Sequence, residues 1–403
     1  MFFSSYSIDS PSGGSEVRTR HILKNLVRMG EFVELNSPGT SNRSSLIDGI
    51  RANVIRSPLS SRVIGSRFIE HFVSLTQSRF GFLCLAALDP AFTVQARRSI
   101  READVVVARD VFQVFPLLYA RAVCKPFIVD LGGFVFPKVL SSRTRVHNPV
   151  HVLRMLIIAI MERIVLPSAT SIIVSCREDK RDLHRTFGID ESKVSMIEDG
   201  VDEEEFRPNM EEGRMIRAQL GLSNEYIMVV FVGNLLAVHN FEAARHIVEH
   251  ISALVSWELP VRFVIVGPHG TLPRHWYYNE QVRFTGYVPR VSPYVNAADI
   301  CIAPLSSGSG MKTKVLGYLA CLRPVITTPQ GAEGLNLRHE HDAIVCDLES
   351  FPSWVQRLAA SGSFRETLSS NLARASPNLS WKARAIAYHD LLMRITRPKE
   401  NCS

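Results

Sequence analysis

Residues 306–320 read SSGSGMKTKVLGYLA, a run in which small residues are followed by two lysines and then by an apolar stretch. Gly308 and Gly310 would let the backbone approach a ligand closely, because glycine has no β-carbon. The amides from Gly310 to Lys312 would begin the next helix and point at an anion. Since Lys312 and Lys314 add positive charge, the run predicts a phosphate site; an ordinary turn between a strand and a helix is the alternative.

The composition predicts a globular protein of two ordinary domains, since 46% of the 403 residues are apolar and 21% are charged. The net charge of +7 is one-sided: residues 1–200 hold 26 lysines and arginines against 19 acidic residues, and residues 201–403 hold 20 against 20. This excess predicts an anionic partner for the first half, namely a membrane surface, a phosphorylated acceptor or nucleic acid. A solvated basic face is the alternative.

The cellular location is predicted from the cysteines and the first residues. Seven dispersed cysteines without a CxxC pair predict free thiols in a reducing compartment, hence a cytoplasmic protein. MFFSSYSIDS lacks a basic region and a long apolar region, so we expect no signal peptide. No run reaches about 18 uncharged apolar residues, so no membrane span is expected. No carboxylate cluster has metal-ligand spacing, and no metal is expected.

Short β-rich runs alternate with helical patterns along the chain, which implies parallel sheets. An acidic, proline-containing stretch, DGVDEEEFRPN, separates two such series and predicts two doubly wound domains, at 1–205 and 206–378, with a closing helix and tail at 379–403. With two such domains facing each other, ligands are expected in the cleft at the carboxyl ends of the strands. Strands are predicted at 2–7, 104–108, 126–130, 169–175, 226–233, 261–267, 282–286, 299–304 and 324–328, and helices after residue 14 and at 177–187, 240–256 and 380–395.

Three segments together resemble glycosyltransferase family 4. VSMIEDGVDEEEFRP (194–208) is similar to the family signature V-x-V-I-x-N-G-V-D-x-x-x-F-x-P, with Asp199 in place of the asparagine. SPSGGSEVRTRHILKNLVRMG resembles the N-terminal glycine loop and first helix, and NAADICIAP through GAEGL resembles the donor-site region. The resemblance extends from about residue 10 to about residue 390. It implies the α/β GT-B fold of two Rossmann-like domains, a nucleotide-diphosphate sugar as donor, no separate cofactor and a retaining mechanism.

The resemblance also assigns donor-site residues. Gly13 and Gly14 match the loop near the donor phosphates and the acceptor, and Gly233 matches the glycine that ends the first strand of the second domain. Tyr287, in FTGYVPR, is a candidate neighbour of the donor base. Ser309 belongs to the loop that would bind the donor, between the two glycines already described.

Several family residues are replaced in this chain. Asn234 and His239 occupy the positions of an arginine and a lysine that often hold the diphosphate, so this clamp is weakened. Two family glutamates, eight positions apart, are matched by Ser309 and Gly317. A glycine inside a helix costs about 1 kcal/mol relative to alanine. Close packing of another backbone against Gly317 is one explanation, and a changed or lost donor site is the other.

The family histidine near the reacting sugar is also missing. The segments VVVARDVF and VDLGGFVF leave Arg109, Asp110 and Asp130 as the polar candidates for catalysis at strand ends, and Glu333 follows a later strand. Capping or turn chemistry is the alternative for both aspartates.

The resemblance implies a hexosyl-type glycosyltransferase of glycan or glycolipid synthesis. The basic first half of the chain predicts a lipid-linked or otherwise anionic acceptor, and no nucleic acid is expected as partner. A non-catalytic GT-B subunit that binds a partner glycosyltransferase is the alternative, and a sugar-nucleotide epimerase is disfavoured by the linker signature. Basic, partly apolar stretches at 56–79 and 143–163 predict peripheral association with the inner face of an anionic membrane. The alternative is that their apolar faces pack into the domain core.

Overall fold

The computed structural model describes residues 1–3, 14–39, 43–56, 90–132, 149–307, 311–375 and 379–397. The chain divides into two compact units, Met1–Glu198 with Trp381–Ser403, and Asp199–Ser380. The predicted domain boundaries, after residues 205 and 378, lie seven and two residues from these divisions. Among the helices of these described ranges, none is long and apolar enough to cross a membrane.

The first unit is built on an eight-stranded sheet. Its strands are β1 (Phe2–Phe3), β2 (Glu34–Gly39), β3 (Arg43–Ile47), β4 (Ile50–Arg56), β5 (Val106–Arg109), β6 (Phe127–Asp130), β7 (Ser171–Val174) and β8 (Val194–Met196). Their order is β3-β4-β2-β1-β5-β6-β7-β8, and each neighbouring pair is parallel apart from antiparallel β3 and β4.

Helices cover both faces of this sheet. They are α1 (Gly14–Arg28), α2 (Pro90–Glu102), α3 (Val114–Ala122), α4 (Pro149–Val165), α5 (Arg177–Phe187) and α12 (Trp381–Thr396), the closing helix. Val106 belongs to the hydrophobic cluster that contains residues of α2, α3 and α4, whereas Val107 belongs to the cluster that contains residues of α1 and α12. Because successive strand residues point to opposite faces, the continuous apolar run of β5 is buried on both sides.

The second unit contains a six-stranded, wholly parallel sheet. Its strands are β9 (Ile227–Val232), β10 (Val261–Val266), β11 (Val282–Phe284), β12 (Ile300–Ala303), β13 (Val325–Thr327) and β14 (Ile344–Val345), in the order β11-β10-β9-β12-β13-β14. Its helices are α6 (Met210–Gln219), α7 (Val238–His246, continuing through Ile247–Ile251 and Ser252–Leu254), α8 (Ser292–Ala297), α9 (Thr313–Ala320), α10 (Phe351–Ala360) and α11 (Gly362–Ala375).

Each sheet has a point where the chain reverses its direction of travel across the strands. In the first unit the chain moves outward from β1 and later returns to place β5 beside β1; in the second it moves outward from β9 and returns with β12 beside β9. Loops diverge at the carboxyl ends of such strand pairs and leave a crevice. The predicted doubly wound fold is therefore confirmed, and its reversal points lie between β1 and β5 in the first sheet and between β9 and β12 in the second.

Candidate functional site

The three catalytic candidates of the first unit lie together at the carboxyl ends of β5 and β6. Arg109 is the last residue of β5, Asp110 follows it, and Asp130 is the last residue of β6. The amide of Asp110 donates to the carbonyl of Asp130 at 2.9 Å, which continues the ladder between the two strands. All three side chains are buried. Parallel pairing of β5 with β6 thus brings together residues about twenty positions apart.

Asp130 holds two guanidinium groups. Its Oδ1 accepts a hydrogen bond from Arg109 Nη1 at 2.7 Å, and its Oδ2 accepts one from Arg18 Nε at 3.2 Å. All three side chains are at most 7% exposed. Both carboxylate oxygens are therefore engaged, which makes Asp130 a buried anchor for two arginines.

Arg18 also belongs to this cluster, although sequence analysis did not predict it as a site residue. Its Nη1 donates to the carbonyl of Glu198 at 3.0 Å and its Nη2 to that of Ile197 at 2.9 Å, so one side chain joins α1 to β6 and to the end of β8. A signal was present: Arg18 lies four residues before Ile22, on the apolar side of α1. A cation on a buried helix face needs an acidic partner.

Asp110 has a left-handed backbone conformation and a raised pKa. Its φ of 65° lies in the left-handed region, which aspartate enters more readily than most residues. Its Oδ1 accepts a hydrogen bond from the amide of Gly132 at 2.8 Å. Burial raises the pKa of Asp110, although Arg109 and this hydrogen bond act in the opposite direction. Burial is the largest of these effects, so the protonated form of Asp110 is more favoured than it would be in water.

The closing helix α12 contributes to the same cluster. Tyr388 lines a small pocket with Arg109 and Asp130, and this pocket has room for about one water molecule. Burial first, and then the nearby Asp130 carboxylate, raises the pKa of Tyr388 well above its ordinary value. An ion pair of 2.6 Å between Arg384 and Glu198 fixes α12 beside the end of the first unit's main segment.

In the second unit, Lys312 and Glu333 meet at the carboxyl ends of the central strands. Lys312 immediately precedes α9, after β12, and Glu333 follows β13. Lys312 Nζ lies 3.6 Å from Glu333 Oε2, and both side chains are largely buried. Gln330 Nε2 donates to the same Glu333 oxygen at 2.8 Å and so orients the carboxylate.

Lys314 is held by neutral partners. Its Nζ donates to Asn240 Oδ1 and lies 4.4 Å from the centre of the Phe231 ring, a cation–π contact. Burial, followed by repulsion from Lys312, lowers the pKa of Lys314 to about 7. The ammonium is thus fixed at the end of β9 without a carboxylate among these partners.

The surroundings of Lys314 explain the residues that follow β9. A β-carbon on Gly233 would lie 3.0 Å from Asn240 Cγ, so a side chain at Gly233 would disturb the residue that holds Lys314. Asn240 Nδ2 donates to the carbonyl of Asn234 at 2.9 Å and fixes the start of the loop. Burial, then Lys314 and Lys312, lowers the pKa of His239 to about 4. His239 is therefore neutral at pH 7 and cannot supply the charge of the family lysine.

Several predicted donor residues lie elsewhere or outside the described ranges. Gly13 and the run 308–310, which contains Gly308, Ser309 and Gly310, are not among the described residues, and Gly14 is the first residue of α1. Tyr287 is 75% exposed and follows β11, the edge strand, two positions from β9 in the sheet. The structure therefore groups Lys312, Lys314, His239, Asn240 and Glu333. Tyr287 follows Gly286, whose carbonyl accepts a hydrogen bond from the amide of Gly267 just after β10.

Gly317 is explained by close packing. A β-carbon there would lie 2.8 Å from Cε1 and 2.9 Å from Cδ1 of Phe206, shorter than side-chain contacts normally allow. The predicted neighbour was another backbone, and in this respect the prediction was wrong: the neighbour is an aromatic ring. The ring belongs to the acidic stretch that begins the second unit.

Two family models match the chain in succession. Residues 12–205 match the model described as "Glycosyltransferase Family 4", and residues 227–361 match "Glycosyl transferases group 1". Among similar curated proteins, a D-inositol 3-phosphate glycosyltransferase of Rhodococcus erythropolis is 24% identical over 55% of this chain and 53% of its own length. A UDP-Gal:alpha-D-GlcNAc-diphosphoundecaprenol alpha-1,3-galactosyltransferase of Escherichia coli is 27% identical over 47% of this chain and 50% of its own length. The chain thus spans about half the length of the curated relatives it matches.

Solved structures are similar over nearly the whole chain. Sucrose-phosphate synthase from Thermosynechococcus elongatus has a TM-score of 0.74 and 16% identity, covering 98% of both chains. HepE of Anabaena in complex with UDP has a TM-score of 0.71 and 14% identity, covering 98% of this chain and 99% of its own. At such identities the likeness concerns the fold. With both family models matched in order along the chain, this protein belongs to glycosyltransferase family 4, the group 1 glycosyl transferases, and has the GT-B fold.

Proposed function

We propose that this protein is a retaining, hexosyl-type glycosyltransferase that uses a nucleotide-diphosphate sugar as donor and needs no separate cofactor. The observation that carries the proposal is the pair of lysines at the reversal point of the second sheet. Lys312 and Lys314 lie near each other at the ends of β9 and β12, and burial with this proximity lowers the pKa of Lys314. A diphosphate would place negative charge beside Lys314, whose partners Asn240 and Phe231 are neutral, and it would be stabilised most as the glycosidic bond breaks.

The proposed acceptor is a glycan or a lipid-linked, anionic molecule. The names of the relatives mention inositol 3-phosphate and a diphosphoundecaprenol, which are both phosphorylated. The basic excess of residues 1–200 is suited to such acceptors. We also propose that the first unit associates with an anionic membrane, where a lipid-linked acceptor is found.

A donor panel tests the proposal. We expect UDP, GDP or ADP to raise the melting temperature, since a ligand at 100 times its Kd stabilises by about 2.7 kcal/mol. UDP-glucose, UDP-galactose and GDP-mannose are then incubated with acceptors that include inositol 3-phosphate and GlcNAc-diphosphoundecaprenol. Release of nucleotide only with acceptor, and retention of the anomeric configuration by NMR, are the expected results. Absence of binding by every nucleotide would contradict the proposal.

A non-catalytic subunit is the second candidate. Its support is that both oxygens of Asp130 are engaged by arginines and that the position of a family glutamate, Gly317, packs against Phe206. Nucleotide binding without turnover, together with capture of a glycosyltransferase, would favour this candidate over the enzyme.

A further inference from the structure

An exposed aliphatic strip follows one side of α4. Leu156, Ile160 and Ile164 succeed one another at intervals of four residues and are 56%, 51% and 45% exposed. Residues at this spacing lie one above another on the same side of a helix. The opposite side of α4 is buried, with Ile158 and Val165 in the core of the first unit. The prediction that the apolar face of this segment packs into the core thus holds for one side of the helix only.

Arginines lie at the end of this strip. Arg163 is exposed on α4 itself, beside Ile164 in sequence. Arg121, at the end of α3, donates a hydrogen bond to Ser168 Oγ, and Ser168 Oγ donates to the carbonyl of Ile164 at 3.2 Å. One guanidinium is therefore fixed at the C-terminal end of the strip by this chain of hydrogen bonds.

The neighbouring helix α2 extends the positive charge. α2 packs against α3, and α3 against α4, in one layer over the sheet. Val94 of α2 is also exposed, at 57%. Among the side chains of α2, α3 and α4 that the structure describes, the exposed charged residues are Arg97, Arg98, Arg101, Arg121, Arg163 and Glu102. Among these exposed side chains of the three helices, five are arginines and one is acidic, Glu102, which pairs with Arg98 at 2.8 Å.

We infer that this basic-apolar face, formed by the outer sides of α2, α3 and α4, docks on an anionic lipid bilayer. The inference rests on the proposed membrane association of the first unit and names the surface responsible. Aliphatic side chains would enter the boundary between headgroups and acyl chains, and the arginines would contact lipid phosphates. Both the arginines and the aliphatic side chains are needed for selective binding to an anionic bilayer. A purely basic face would bind any polyanion, and a purely apolar face would not distinguish anionic from neutral lipid.

Charge also argues against a second copy of this chain as the occupant. A two-fold symmetric contact would bring the same face of each copy together. Five arginines on each side would then be desolvated with one glutamate each, which opposes association. Anionic lipid, by contrast, supplies the negative charge that the face lacks.

Vesicle co-sedimentation of the full chain tests the inference. We expect the protein to sediment with vesicles of phosphatidylcholine and phosphatidylglycerol at low salt, and to remain in the supernatant with phosphatidylcholine alone or at high salt. The variant Leu156→Ser/Ile160→Ser should lower the partition coefficient about tenfold or more, because two half-exposed aliphatic side chains no longer enter the bilayer. Arg163→Gln should weaken binding less.

Ile386→Ser is the matched control, since Ile386 lies on α12 of the same unit and is 47% exposed. This variant should bind vesicles like the wild type, and all variants should keep the wild-type melting temperature. The inference would be overturned if the wild-type protein did not bind anionic vesicles. It would also be overturned if the Leu156→Ser/Ile160→Ser variant bound them as well as the wild type. A wild-type dimer that this variant converts to a monomer would overturn it too. Because vesicle binding is measured without donor, failure of sugar transfer would leave these outcomes unchanged.

Discussion

Substitution of Gly317 by alanine separates helix propensity from packing. Alanine is favoured over glycine inside a helix by about 1 kcal/mol, so Gly317→Ala would stabilise α9 if the site had room. The structure leaves no room, since the new β-carbon would lie 2.8 Å from the Phe206 ring. Forcing an extra methyl into a packed contact costs about 1–3 kcal/mol. The expected net effect is a loss of about 0–2 kcal/mol in the free energy of unfolding.

The effect of Gly317→Ala on stability should change from destabilising to stabilising when the Phe206 ring is removed. In a Phe206→Leu background the close contact disappears, and Gly317→Ala should then stabilise the protein by about 1 kcal/mol. The two substitutions are therefore expected to couple by about 1–3 kcal/mol in a double-mutant cycle. Gly362→Ala serves as control, because its β-carbon would come no closer than 3.8 Å to its nearest neighbour.

Urea unfolding followed by tryptophan fluorescence measures these changes. Trp257, Trp276 and Trp354 lie in the second unit and Trp381 in the first, so the signal reports mainly on the unit that contains Gly317. If Gly317→Ala alone stabilises the protein as much as it does beside Phe206→Leu, the ring moves freely and packing does not explain the glycine. The donor-site explanation would then regain support.

Three further predictions concern charged residues. Replacing Lys312 and Lys314 together by methionine should weaken UDP binding in calorimetry by about 3 kcal/mol, the loss of two charge-assisted contacts; unchanged affinity would place both lysines outside the donor site. Because the pKa of Lys314 is about 7, its ammonium is lost as the pH rises through 7. The affinity for UDP-glucose should therefore fall above about pH 7, and Lys314→Met should abolish this dependence. Asp130→Asn should lower the free energy of unfolding in urea by about 3–5 kcal/mol, since it leaves two buried arginines without their carboxylate; wild-type stability would mean that the arginines find other partners.

Local sequence patterns predicted the buried and strongly periodic elements of the fold. The charged pattern at 177–187 is a helix with these bounds, and the apolar run at 226–233 contains β9. The missed strands lack such patterns. β2 contains Pro38 and Gly39, residues that are depleted in strands, and it forms through parallel pairing with β1 and β4. β14 is two residues long, too short for any periodicity.

Sequence analysis predicted candidate residues of the site but not the side chains that contact them. The family resemblance led to Asp110 and Asp130, and Glu333 was a candidate because it follows a strand. The structure places the two aspartates at the ends of β5 and β6, and Glu333 in the segment after β13. Their partners depend on tertiary structure: Arg18 is 112 positions from Asp130, and Asn240 is 74 from Lys314. The net charge of the first half also counted Arg18 toward a basic surface. Arg18 is buried and paired with Asp130, so its charge does not act on a partner at the surface.

The environment of Lys314 gives a physical reason to expect a ligand, whichever of the two functions holds. Asn240 and Phe231 fix the position of the ammonium but carry no net charge, and Lys312 repels it. A pKa near 7 shows that the charged form is disfavoured relative to water. An ammonium that is fixed in position, desolvated and given a lowered pKa marks a candidate functional site. A bound diphosphate would restore the charge balance and raise the pKa of Lys314, so that donor binding and proton uptake would be coupled at neutral pH.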